Sequence, residues 1–82
     1  MSLVEALQEM QSLGYSDSLV GDMLALYRER EALHAAEIAT ALDVDRRTVA
    51  KRLDVLLRHR LLRRTRRGYL ASPTLLAHIK EG

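Results

Sequence analysis

From Arg46 onward, Val49, Leu53, Leu56 and Leu57 recur at i, i+4, i+7 and i+8, and most of the residues around them are basic. That spacing lays one apolar seam along a helix, predicted over residues 46–59. It turns Arg46, Arg47, Thr48, Lys51 and Arg52 away from the seam. Past His59 the pattern changes. "RLLRRT" and "GYLAS" read as two short strands joined by "TRRG", a tight hairpin over 61–71 with Gly68 supplying permissive backbone. A chain of this kind must therefore seat an amphipathic basic helix directly beside a basic hairpin.

The charge follows the same division. Residues 46–67 carry ten bases against Asp54, a net of +9, whereas residues 1–45 carry Arg28 and Arg30 against nine acids, a net of −7. The overall +2 conceals this. A separation this sharp points to a polyanionic partner for one face.

Eighty-two residues allow one small domain, 1–82, with a thin core. With no Phe and no Trp, the core falls to Leu, Val, Ile, Ala and Met, with three tyrosines as the only aromatics. The lack of cysteine excludes disulfides and thiolate chemistry. No apolar run is long enough to span a membrane and no signal-peptide pattern opens the chain, so a cytoplasmic setting is expected. Met1-Ser2-Leu3 and Glu81-Gly82 also read as ends left by expression of a fragment, which keeps a longer parent protein open.

Ahead of the basic region, "SLVEALQEMQSLG" predicts an extra N-terminal helix within residues 1–14. Ser2 and Glu5 form a capping box, Leu3, Ala6, Leu7, Met10 and Leu13 make the apolar stripe, and Gly14 is the stop. Ser16 as N-cap and Asp17 in the first turn open a second helix. It buries Leu19, Val20, Met23, Leu24 and Tyr27 and ends near Arg30. Gly21 inside it suggests a close approach by another helix, or simple tolerance. "ALH", 32–34, reads as a small strand, and "AAEIATAL" as a short helix burying Ile38, Ala39 and Leu42. Asp45 is the expected N-cap of the helix that follows, and Pro73 starts a last helix, 73–80, carrying Leu75, Leu76 and Ile79.

The segment "EIATALDVDRRTVAKRLDVLLRHRLLRRTRRGYLASP" resembles the helix-turn-helix and wing of MarR-, ArsR- and GntR-type winged-helix regulators. The resemblance covers about residues 32–74. It rests on small Ala39 at the helix contact, Leu42 and Val44 around the turn, Val49 and Leu53 in the second helix, and "LL" before a basic hairpin. Asp43 stands where glycine with positive φ is usual, and Asp45 where Ser is frequent; Asp tolerates the left-handed region and caps as well.

This resemblance implies a mainly α fold with a small β-hairpin: a three-helix core plus wing, with extra N- and C-terminal helices. It further implies a transcription regulator that binds double-stranded DNA sequence-specifically. Helix 46–59 would enter the major groove and wing 61–71 would lie on the backbone or minor groove. Arg46, Arg47, Thr48, Lys51 and Arg52 would face the groove; Arg63, Arg64, Arg66 and Arg67 would line the hairpin, with Tyr69 packed beside it or on a phosphate. Arginine suits both tasks, donating a bidentate pair to guanine and neutralising phosphates. The bland alternative is a solvated basic face, with Arg58 and Arg60 only complementing the helix dipole.

Other residues read structurally. His34, His59 and His78 lack metal-ligand spacing, so no metal or cofactor is expected, and His34 fills a helix-cap slot. No nucleophile arrangement and no phosphate loop is present, so the chain is not read as an enzyme. The core is too small for a built-in small-molecule pocket, although ligands at a dimer interface stay open. The stripes of the first and last helices need a cover, either within the domain or in a homodimer, and a homodimer is favoured. Two other partners remain. One is RNA, because "RLLRRTRRGYLASPTLLAHI" also resembles the winged-helix repeats of the selenocysteine-specific elongation factor. The other is a protein, as in winged-helix subunits that assemble complexes.

Overall fold

The computed structural model describes residues 3–15 and 17–81. The elements run α1 (Leu3–Ser12), α2 (Asp17–Leu26), β1 (Ala32–Leu33), α3 (Ala35–Leu42), α4 (Arg46–Arg58), β2 (Leu62–Thr65), β3 (Gly68–Ala71) and α5 (Pro73–Glu81). The molecule is mainly helical with a small antiparallel sheet, in the order expected from the sequence. The sheet order is β1-β3-β2, so β3 is central: Ala32 pairs with Leu70 and Leu33 with Tyr69 on one side, Arg63 with Leu70 and Arg64 with Tyr69 on the other.

One hydrophobic cluster draws on every element. Met10, Met23, Ile38, Val49, Leu53, Leu56, Leu61 and Leu75 are all at most 1% exposed. Truncating one of these leucines to alanine costs about 2–5 kcal/mol, the transfer term plus the cavity left behind. The α4 seam predicted from Val49, Leu53 and Leu56 is buried, Leu57 is half-buried, and Val55 is buried as well. Val55 lies off the predicted seam, and α4 also packs against α1.

That placement bears on the homodimer. Ala6 and Met10 of α1 and Leu75 of α5 are fully buried within the chain, and Ile79 of α5 is buried. Part of each stripe is thus covered internally, while Leu3, Leu7 and Leu76 stay half-buried. Leu13, counted in the α1 stripe, is instead half exposed beyond the helix end. The second helix also stops four residues before Arg30: Tyr27 and Arg28 donate to the carbonyls three residues back, at 3.1 and 3.2 Å, which tightens the chain and turns Tyr27 into the core. A Cβ on Gly21 would meet nothing within 4 Å, so this glycine is tolerated and admits no close neighbour. The caps expected at Ser2 and Ser16, and the side chain of Asp17, lie outside the described residues. No described helix is long and apolar enough to cross a membrane.

Three helices end the same way. Tyr15, Val44 and Leu61 each donate from the backbone to the carbonyl five residues back, at 2.8, 3.0 and 2.9 Å. The residue before each is left-handed: Gly14 at φ 81°, Asp43 at φ 55° and Arg60 at φ 59°. This is the Schellman closure, which normally takes glycine. Asp43 was expected there. Arg60 was not, since nothing in its type favours that region.

Candidate nucleic-acid interface

The candidate surface is built from a turn and a hairpin. At the start of α3 the Glu37 carboxylate reaches back, accepting from the His34 backbone N–H at 2.9 Å and from Arg30 Nη2 at 2.9 Å. The first of these bonds, and then Arg30, hold the Glu37 carboxyl below its ordinary range. His34 thus serves the cap through its backbone. After the Asp43 closure the chain needs only Val44 and Asp45 before α4 begins. Asp45 Oδ1 accepts from the Arg47 N–H at 2.7 Å, the cap predicted for it.

The first turn of α4 breaks a local rule. It holds two arginines and no acid, although the helix dipole favours negative charge there. Arg46, Arg47 and Lys51 are all exposed, Thr48 is half-buried, and Asp54 joins them as the one exposed acid on the helix. Like charges gathered at an unfavourable end are what a binding surface needs and a merely stable helix avoids.

Arg52 departs from the expectation. It is 7% exposed, its guanidinium lies 4.8 Å from the centre of the Tyr15 ring, and its Nη1 donates to the Thr48 carbonyl at 2.8 Å. The cause is the loop after α1, which lays Tyr15 over that side of α4. Arg52 is therefore a packing residue and does not join the outward basic face.

The hairpin holds its arginines out. Arg63, Arg64, Arg66 and Arg67 are exposed. The turn is fastened by Thr65 Oγ1, which donates to the Gly68 carbonyl at 2.8 Å and accepts from the Arg67 N–H at 3.1 Å. Gly68 has φ 112°, and a Cβ there would stand 2.5 Å from the backbone of Leu33. The glycine thus permits the turn and also lets β3 lie against the β1–α3 junction.

Tyr69 is half-buried, with the Arg64 guanidinium 5.8 Å from its ring centre. The Tyr69 carbonyl accepts from Tyr27 Oη at 3.0 Å, tying α2 to the hairpin. Burial, and the neighbouring Tyr69 and Glu37, raise the Tyr27 phenol above its ordinary pKa. Tyr69 packs on Arg64 and also lines the space between Arg46 and Arg64, so its position is compatible with both roles expected for it.

One cleft joins the two basic elements. Arg46 of α4 and Arg64 of β2 line it together with His34 and Ala36 at the start of α3 and Gly68 of β3, around a volume of about 260 Å³. At the far end of α4 the basic residues do something else. Arg58 and His59 both meet the Glu9 carboxylate of α1, His59 Nε2 at 3.0 Å. Arg58 belongs to the α1–α4 contact and is more than a dipole complement; nothing near it in sequence points to Glu9, far back along the chain. Comparison with protein-family models, with curated proteins and with solved structures gives no match to this chain.

Proposed function

We propose that the chain is a winged helix-turn-helix module that binds duplex DNA as a transcription regulator, working in the cytoplasm and without catalytic chemistry of its own. The observation that carries this reading is the shared cleft, where Arg46 and Arg64 face one space from two elements. Around it, Arg47 and Lys51 are exposed on the same helix and Arg66 and Arg67 on the same hairpin turn, whereas Arg63, next to Arg64 on β2, lines a different groove. A helix of this width fits the major groove, and its first-turn arginines suit guanine edges. The hairpin arginines then fall to phosphates, which supply affinity and register without reading sequence.

The test is a selection from randomised duplexes, with Arg47→Ala and Arg66→Ala measured beside the parent chain. Each substitution that removes a phosphate contact lowers the log–log salt slope by about 1. Loss of a base contact instead relaxes preference at one position, at about 1–3 kcal/mol. An equal-salt comparison with hairpin RNA separates the RNA reading. Wild-type binding by both variants with no enriched site would sink the DNA reading.

A further inference from the structure

A second concavity lies at the open base of the hairpin, away from the basic cleft. It is a groove of about 680 Å³, walled by Leu57 at the end of α4, Leu62 of β2, Leu70 of β3 and Leu76 of α5. The size falls within the range of small-molecule sites, about 300–1,000 Å³. This space is not carved from the core, which is the place where no room for a pocket was expected. It lies where α4 ends and α5 begins, beside the end of the sheet, and neither helix covers it. Leu57, Leu70 and Leu76 are consequently only half-buried.

The walls also carry charge. Arg60 and Arg63 line the groove, both exposed, and among the described residues neither forms an ion pair or stacks on a ring. Arg60 is directed by the left-handed closure of α4, so its position is set by backbone. Glu31 lines the same groove and disfavours a second negative group.

We propose that this groove binds an amphipathic monocarboxylate, its hydrocarbon or aryl body on the four leucines and its carboxylate on Arg60 and Arg63. The apolar walls supply area-proportional affinity, and a guanidinium–carboxylate pair supplies selection by charge. The inference stands whether or not the chain binds nucleic acid.

Octanoate and octanamide, which differ in the charge, are titrated into the full chain and followed by methyl and amide NMR. Octanoate produces saturable shifts centred on Leu57, Leu62, Leu70 and Leu76, and octanamide binds about tenfold or more weakly. The double variant Arg60→Asn, Arg63→Gln loses octanoate by a similar factor; Asn is chosen because it tolerates the left-handed backbone, which keeps the fold intact. Lys80→Gln removes one exposed charge outside the groove and leaves octanoate affinity unchanged. Equal binding of the amide, shifts centred elsewhere, no saturation, or equal loss in the Lys80 variant would each overturn the assignment.

Discussion

The Arg52 guanidinium stacks on the Tyr15 ring at 4.8 Å, which joins the loop after α1 to the middle of α4. A charge that resembles part of the basic face by sequence is therefore a fastening between a loop and a helix. Arg52→Ala should lower stability by about 1–2 kcal/mol, through the lost stacking and the lost cover of its aliphatic stem. Urea denaturation measures this. The salt slope of nucleic-acid binding should stay at the parent value, and a fall by one contact would return Arg52 to the interface.

Arg46 gives the opposite expectation. It sits in the first turn of α4, exposed, where the dipole favours an acid. Arg46→Glu should raise stability by about 0.3–1 kcal/mol and weaken nucleic-acid binding. Thermal melts at low salt read the first effect and a binding isotherm the second. A variant that gains stability and keeps its affinity would remove Arg46 from the proposed surface.

At Gly68 space and backbone act together. Any Cβ would stand 2.5 Å from the Leu33 carbonyl carbon and oxygen, at φ 112°. Gly68→Ala should cost at least about 2 kcal/mol, combining left-handed strain with displacement of backbone. Chemical denaturation, with the β1–β3 amides followed by hydrogen exchange, tests it; a near-neutral result contradicts the close packing.

Asp43 offers a gain. Its φ of 55° suits glycine better than any side chain, and the residue is exposed. Asp43→Gly should be stabilising by up to about 1 kcal/mol, since relief of left-handed strain outweighs the added chain entropy. A shift of the urea midpoint upward at unchanged m-value is the expected signature.

The Glu37 carboxyl is held low chiefly by the His34 N–H and secondly by Arg30. A depressed folded-state pKa contributes stability that is present above the unfolded value and lost as pH falls through the folded one. Acid titration followed at the Glu37 side chain by NMR should give a midpoint below that of the unfolded chain. Arg30→Ala should raise it only part of the way, because the backbone donor remains. Full recovery would reverse the order of the two causes.

Much of this architecture was legible because its determinants are local. Asp45 before a basic apolar-periodic run, Asp43 in a three-residue turn and Gly68 between two short strands act through their immediate neighbours. Their observed conformations match. What escaped the sequence depends on residues far along the chain. Val55 is buried off the predicted seam, Arg52 lies under Tyr15, and Arg58 and His59 turn to Glu9. Helical periodicity shows which side of a helix is apolar, but it cannot show that a neighbour will cover a charged side. The left-handed Arg60 escaped for another reason: the closure is dictated by where β2 must start, and no residue type announces it.

The sheet order leaves β2 at an outer edge, with its central residues Arg63 and Arg64 exposed. An outer strand presents unpaired backbone donors and acceptors to any other extended chain, and charged side chains are a common defence against such pairing. By that rule Arg63 and Arg64 should also discourage edge pairing with another chain. Stripping the whole hairpin of charge would confuse lost affinity with aggregation, whereas single substitutions leave the guard in place.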